Sequence, residues 1–150
     1  MMVQSMKAKN YLMQIKNLDA RINTDLEELA ALEALATKTT SVLGGERVQS
    51  SGSQQKMADA VSKIIELKEK INSEIDRFVD FKAEAKNLIF SVCDGDCVDL
   101  LYKRYFLNKK WEEIAVEMNY TFKWVSGGLH QRALSQVQKA LDERGVENAV

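Results

Sequence analysis

The side chains best suited to covalent or metal chemistry are few in this sequence. Cys93 and Cys97 are its two cysteines, and His130 is its only histidine. A structural zinc site takes four nitrogen or sulfur ligands, so these three residues fall short of one. The amino terminus lacks the apolar segment of a signal peptide, which would lead to an oxidising compartment. We therefore expect both cysteines to remain free thiols, with no metal bound.

A second candidate for metal binding is Asp94-Gly95-Asp96, which resembles the start of a calcium-binding loop. The ligands that an EF-hand needs further along are missing, so the sequence indicates a turn in which Asp96 caps the following helix. The chain also lacks a glycine-rich phosphate loop and any acid pair tied to a base. These features predict a protein that is not an enzyme and that needs no cofactor.

Helix-forming residues dominate the composition, from which proline is absent. Ala, Leu, Glu, Lys, Gln and Met favour helix, so the 150 residues predict an all-α fold of about one domain. The formal net charge of −1 excludes a global basic field, so any nucleic-acid surface must be local. No stretch approaches the roughly 18 apolar residues of a membrane span, and we expect a soluble, cytoplasmic protein.

Residues 1–92 are predicted to form a long, coiled-coil-like helical hairpin. Apolar residues recur every three or four positions from Leu12 to Leu35, and again from Met57 to Val92, as on amphipathic helices. A segment rich in glycine and serine at about 39–55 separates the two patterns and predicts a flexible loop. The second apolar face is wider than a two-stranded seam needs. It favours a homo-oligomer formed through the long helices, with a purely structural appendage as the alternative.

Residues 93–150 contain the pattern of a helix-turn-helix between Trp111 and Leu129. The first helix needs a small residue beside an apolar one, and the turn needs a residue that tolerates a positive φ. The second helix needs a cap and a buried apolar residue. These positions are filled, in order, by Ile114, Ala115, Met118, Asn119, Tyr120, Thr121 and Val125. The match predicts a C-terminal helix-turn-helix domain in which Tyr120 and Val125 are buried.

Gly127-Gly128 departs from this template. The template expects an apolar residue where Gly128 stands, and Leu129 supplies it one residue later. The pair therefore indicates a one-residue insertion in the second helix, where each glycine costs about 1 kcal/mol relative to alanine. Either the backbone closely approaches another group there or the helix is locally distorted.

The exposed face of the second helix is the predicted DNA-binding surface. No acidic residue occurs between Thr121 and Ala140, and several basic residues precede the motif. Such a helix fits the major groove of duplex DNA, with its cap and the flanking basic residues on phosphates. The candidate DNA-binding residues are Thr121, Phe122, Lys123, Ser126, Gly127, His130 and Gln131 on the second helix, and Arg104, Lys109 and Lys110 before the motif.

The C-terminal half also resembles a known group of phage regulators. LLYKRYF, WEEIAVEMNYT and LHQRALSQVQKAL, which cover roughly Asp99 to Leu141, are similar to sequences of the RinA and ArpU kind. The helix-turn-helix of that group is similar to region four of bacterial sigma factors. The resemblance implies a phage or prophage transcriptional regulator that activates late genes, and it leaves contact with RNA polymerase open.

Two other functions fit a helix-turn-helix joined to long helices. A small terminase subunit, which takes part in DNA packaging, combines the same two parts. A helical scaffold that does not bind DNA would need only the long helices. Ring-shaped oligomers favour packaging, and failure to bind any duplex at low salt favours the scaffold.

Overall fold

This computed structural model describes residues 2–45 and 51–148. Over these residues it contains five α-helices and two π-helical segments. Side chains are described for 7–38, 52 and 54–144. The elements are α1 (Met2–Gly45), α2 (Ser51–Val92), α3 (Gly95–Leu101), π1 (Tyr102–Phe106), α4 (Trp111–Met118), π2 (Trp124–Leu129) and α5 (His130–Asn148). No strand occurs in those ranges, so the all-α prediction is confirmed. Over its described residues, no helix combines the length and the apolar character needed to cross a membrane.

The two ends of the loop predicted at about 39–55 are helical in the structure. α1 continues to Gly45 and α2 begins at Ser51. Its centre, residues 46–50, lies outside the described residues. The sequence contains no proline to stop either helix, and a serine or glycine costs a helix at most about 1 kcal/mol. A long helix can continue through a penalty of that size.

The chain divides into two compact units, and their boundary differs from the one predicted at residue 92. One unit consists of Met1–Asn17 together with Phe78–Val150. The other unit is Leu18–Arg77. Each long helix therefore contributes residues to both units. The amphipathic stripes of α1 and α2 indicate that each helix buries one face, but a stripe does not specify which partner covers it.

The core of the first unit joins the ends of the long helices to the C-terminal segment. Ala8 and Leu12 of α1 and Ile89 of α2 are at most 1% exposed, and they share one apolar cluster with α3, α4 and α5. The amide oxygen of Gln138 accepts a hydrogen bond from the backbone N–H of Ala8 at 2.9 Å, and this bond is buried. Burial of a leucine-sized side chain contributes about 1.5–3 kcal/mol. The helix ends are therefore part of what stabilises the C-terminal segment.

Asp94, rather than Asp96, caps α3. Its Oδ1 accepts a hydrogen bond from the backbone N–H of Cys97 at 3.1 Å, as an N-cap does. Its Oδ2 accepts one from Gln136 Nε2 at 3.1 Å and lies 2.6 Å from Arg132 Nη2. The hydrogen bonds from Gln136 and Cys97 lower the pKa of Asp94 to about 2. The prediction that Asp96 forms the cap is wrong, because α3 begins earlier than the sequence pattern indicates.

In the second unit, Leu18–Arg77, segments of α1 and α2 pack alongside each other in opposite directions. Lys68 Nζ lies 3.5 Å from Glu33 Oε1, and further along α2, Lys70 Nζ lies 3.5 Å from Asp25 Oδ2. Residue numbers thus rise on α2 as they fall on α1. Among the side chains of this unit that the structure describes, the buried apolar ones are Ile22, Leu67 and Ile71.

Two acidic residues, Asp25 and Glu74, are also buried in this unit. Asp25 is 6% exposed and Glu74 is 9% exposed. Both carboxyl oxygens of Glu74 and Oδ2 of Asp25 are buried with no hydrogen-bond donor among the described residues. The nearby Asp25 carboxyl raises the pKa of Glu74, whereas the pKa of Asp25 is lowered. Because two adjacent carboxylates resist being charged together, we expect the pair to share one proton.

Glu74→Gln should stabilise the second unit at neutral pH. The glutamine amide can donate to Asp25 without taking a proton from solution. A group whose pKa is raised by folding stabilises the fold fully below its unfolded pKa, and this contribution is lost as the pH rises through its folded pKa. The parent should thus melt at a higher temperature as the pH falls from neutral toward the ordinary carboxyl range. The melting temperature of the Glu74→Gln variant should change less with pH.

Thermal melts followed by circular dichroism across that pH range measure both effects. Asp25, whose pKa is lowered, loses its stabilising contribution only at still lower pH. The two carboxyls therefore affect the stability of the fold in separate pH ranges. Glu69→Gln, at an exposed acid on the same helix, controls for the change in net charge. A Glu74→Gln protein that melts below the parent at neutral pH contradicts the shared proton.

Candidate nucleic-acid interface

A tight corner separates α4 from the helix that follows it. Asn119 has φ 60° and ψ 38°, in the left-handed region, which confirms the prediction of a positive φ there. The backbone N–H of Tyr120 donates to the carbonyl of Ala115 at 3.0 Å, so the turn satisfies an end carbonyl of α4. Asparagine tolerates this backbone conformation better than most residues other than glycine. The corner therefore follows from local sequence.

The second corner helix, residues 122–148, begins directly after Thr121. The Thr121 hydroxyl oxygen accepts a hydrogen bond from the backbone N–H of Trp124 at 3.2 Å, which is the geometry of a cap. Val125 and Ile114 are fully buried and Ala115 is 6% exposed, as predicted. Small and apolar residues at these places allow the helices to cross closely.

Tyr120 is not buried, and the prediction that it is part of the core is wrong. Its side chain is 40% exposed. The phenol donates a hydrogen bond to Asp96 Oδ2 at 2.7 Å, which also raises the pKa of Tyr120. This bond holds the ring at the surface, where its hydroxyl has a partner.

The extra residue at Gly127-Gly128 is accommodated by π2, which spans Trp124–Leu129. A π-helical turn closes i→i+5 hydrogen bonds, so it contains one more residue than an α-helical turn. Leu129 is consequently 1% exposed, and the apolar stripe continues along α5 in the correct phase. The expected local distortion is thus a π turn.

Gly128 allows another side chain to pack closely on its backbone, whereas no such group lies close to Gly127. A Cβ built on Gly128 would lie 2.6 Å from Cε3 of the Trp124 indole and closer still to Cζ3. A Cβ on Gly127 would meet nothing within 4 Å. The Trp124 ring therefore lies against the backbone of Gly128, where any larger residue would displace it.

His130 is buried, so its predicted place on the exposed face is wrong. The ring is 6% exposed, and its Nε2 shares a hydrogen bond with the Tyr105 hydroxyl at 2.8 Å. Trp111 meets the ring edge-on with centroids 4.8 Å apart. Burial lowers the pKa of His130 to about 4, so the imidazole is neutral near pH 7. The added residue in π2 explains the change, because it turns the helix and brings His130 inward beside Leu129.

Two of the basic residues predicted to contact DNA are engaged within the fold. Arg104 donates to the carbonyl oxygen of Lys109 at 3.1 Å, and its guanidinium lies 4.5 Å from the centre of the Trp111 ring. Lys109 Nζ lies 2.7 Å from Glu117 Oε1, which Lys103 also contacts at 3.1 Å. Lys110 is exposed and stands at the N-cap position of α4. Of the three predicted residues before the motif, Lys110 is the one most available to a partner.

The remaining candidates lie on the surface near the start of the second corner helix. Thr121, Phe122, Lys123 and Gln131 are exposed, and Gly127 is half-buried. Ser126 is half-buried, and its hydroxyl donates to the carbonyl of Phe122 at 2.8 Å. The structure therefore brings these candidates to one helix and its cap, where Thr121 and Ser126 bond to the backbone and the side chains of Lys123 and Gln131 are exposed.

Sequence reasoning missed Trp124, which is 42% exposed. Together with Phe122, which is 50% exposed, it forms what we call the aromatic pair. The sequence does contain a signal for it, because Trp124 stands four residues before Gly128 in a helix, and residues at this spacing are neighbours on one face. Large aromatic side chains that are exposed this close in sequence are uncommon on a surface that contacts only water.

The two thiols belong to the apolar core or pack against it. Cys97 is buried and Cys93 is half-buried, and both are free. Burial raises the pKa of Cys97 to about 12 and that of Cys93 to about 11, so neither forms a thiolate near neutral pH. Within residues 2–45 and 51–148, no three or more His, Cys, Asp or Glu side chains form a group that could hold a metal ion.

Comparisons with protein-family models, curated proteins and solved structures gave no match to this chain. The candidate surface is the exposed start of a helix that follows a left-handed turn directly. One aromatic residue of the pair precedes Lys123 and the other follows it.

Gly127→Ala and Gly128→Ala should have different effects although they are neighbours. At Gly127 a methyl group meets open space, so the higher helix propensity of alanine should stabilise the protein by about 0.5–1 kcal/mol. At Gly128 the methyl group overlaps the Trp124 indole, so this gain should be offset by loss of the ring's packing. Thermal melts and tryptophan emission report the two effects. An equal gain in melting temperature, with unchanged emission in both variants, contradicts the contact between Trp124 and Gly128.

Proposed function

We propose that this protein is a transcriptional regulator that binds duplex DNA through its helical corner. The observation that supports the proposal best is the start of the second corner helix. Thr121, Phe122 and Lys123 are exposed there, directly after the left-handed turn at Asn119. A helix-turn-helix places this part of its second helix in the major groove, where side chains contact base edges.

The charges around the corner suit a small number of phosphate contacts. No acidic residue occurs from Thr121 to Ala140. Lys110, Lys123 and Lys139 are exposed, and none of them pairs with an acid among the described residues. Each phosphate that these lysines neutralise should add about −0.9 to the slope of log K against log salt. Affinity for duplex DNA should therefore be modest and dependent on salt.

A homo-oligomer would compensate for so few contacts per chain. The second unit exposes apolar side chains to between 39% and 52%, namely Leu26, Val61, Ile65 and Ile75. Exposed apolar patches commonly mark interfaces. Two DNA-binding corners joined through the long helices would bind far more tightly than one, because the second contact becomes intramolecular.

The resemblance to phage regulators extends the proposal to activation of phage late genes. Activation of that kind would make RNA polymerase a candidate protein partner. Oligomers that form rings in solution would instead favour DNA packaging by a small terminase-like subunit. Absence of any duplex binding at low salt would favour a helical scaffold.

Lys123→Ala in the full chain tests the proposal. The side chain is exposed, so the melting temperature should change little. Affinity for a duplex selected from a random-sequence pool should fall by about 1–3 kcal/mol if Lys123 contacts a base, or the salt slope should fall by about 1 if it contacts a phosphate. Fluorescence anisotropy of labelled duplex across a salt series separates these two outcomes.

Lys63→Ala provides the matched control, because Lys63 is an exposed lysine of α2 outside the corner. It removes the same charge and should leave affinity and slope close to those of the parent. If both variants lose affinity equally, net charge rather than the corner determines binding. If Lys123→Ala binds like the parent at every salt concentration, the second corner helix does not enter the groove as proposed.

A further inference from the structure

The indole of Trp124 forms a fixed apolar surface on the second corner helix. It is 42% exposed, yet its six-membered ring lies against the backbone of Gly128. A side chain that is already held in place loses less conformational freedom on binding than a mobile one. Phe122, two residues earlier, is 50% exposed. Trp124 therefore presents apolar area in a fixed position, and Phe122 adds exposed apolar area, at the place where a helix-turn-helix meets DNA.

Polar groups that could read base edges are few beside the aromatic pair. The Ser126 hydroxyl donates to a backbone carbonyl, and the Thr121 hydroxyl oxygen accepts a backbone N–H. His130 is buried against Tyr105. Lys123 is exposed, but a single ammonium group reads few base positions, and the exposed amide of Gln131 lies about two turns further along the helix. Apolar contact is thus the main interaction that this turn of helix can offer.

The major groove presents one apolar feature to such a surface. Its base edges expose hydrogen-bond donors and acceptors, and only thymine adds a methyl group at C5. An indole or phenyl ring that faces a donor or acceptor would leave that polar group without a partner, which costs free energy. An aromatic ring in the groove is therefore best placed against thymine methyl groups.

The surrounding charge favours a polyanion over an apolar protein surface as the occupant. Lys123 lies between the two rings in sequence, and no acidic residue occurs in the eighteen positions that follow Phe122 up to Ala140. The nearby carboxylate of Asp96 is bonded to the Tyr120 hydroxyl. The charged residue nearest to the two rings in sequence is thus a cation, Lys123, as expected for contact with DNA.

We propose that Trp124, together with Phe122, contacts thymine methyl groups in the major groove and so selects sites with thymine opposite the start of the second corner helix. This inference rests on the proposed DNA-binding function and adds the chemical group that is recognised. Trp124 is the central contact, because Gly128 fixes the position of its ring. Each methyl group buried in this way should strengthen binding about fourfold.

The test uses one duplex, selected from a random-sequence pool and then synthesised with either thymine or deoxyuridine. Uracil keeps the hydrogen-bonding groups of thymine and lacks only the methyl group. The full-length parent should bind the thymine duplex at least about fourfold more tightly. Trp124→Ala should bind the thymine duplex more weakly and lose the preference over uracil. Trp124→Phe, which retains an aromatic ring, should keep part of the preference.

Phe90→Ala is the matched control, because Phe90 is an aromatic residue of α2 that is 59% exposed and lies outside the corner. It should keep both the affinity and the preference of the parent. Equal affinity of the parent for the two duplexes, or a preference that survives in Trp124→Ala, overturns the inference while leaving DNA binding intact. Tighter binding to the single strand than to the duplex also overturns it. Failure to bind either duplex at low salt overturns the proposed function itself.

Discussion

The extra residue between Val125 and Leu129 must fit within one turn of helix without moving its apolar neighbours out of the core. The π turn meets this requirement, since Val125 before its centre and Leu129 at its end are both buried. Two features depend on that solution. His130 turns inward to Tyr105, and the apolar stripe of α5 remains aligned with the core.

The C-terminal segment shares its apolar core with residues of the long helices. Ala8, Leu12 and Ile89 come from the long helices, and they share the apolar cluster into which the corner packs. A fragment that begins at Cys93 would expose the apolar area that these residues cover, and each lost contact of that kind costs a few kcal/mol. The helical corner and the ends of the long helices therefore share one core. Removal of the long helices would therefore perturb the corner as well.

Much of the corner could be predicted from local sequence, because local chemistry determines it. Asn119 takes a positive φ, Thr121 provides the cap, and the burial of Val125 follows from the helical period. The errors concern residues whose environment is set by distant parts of the chain. Tyr120 stays at the surface because Asp96 binds its hydroxyl, and His130 is buried because a π turn changes the phase of the helix.

The boundary between the two units was beyond sequence reasoning for a related reason. A heptad-like stripe indicates that a helix face is covered and says nothing about which segment covers it. The cap of α3 shows the same limit on a smaller scale. Asp94 and Asp96 both precede the helix, and the choice of Asp94 depends on Gln136 and Arg132, which lie on α5.

The buried acids Asp25 and Glu74 also limit the number of ways in which α1 and α2 can align. Repeating apolar spacing alone would allow the two helices to slide past each other by one heptad with little change in apolar contact. Such a slide would bring Asp25 opposite Leu67 in one direction and Glu74 opposite Leu32 in the other. Either alignment buries a carboxyl against a leucine, with no second carboxyl to share its proton. The acid pair thus gives up some stability and in exchange selects a single register for a long, repetitive helical pair.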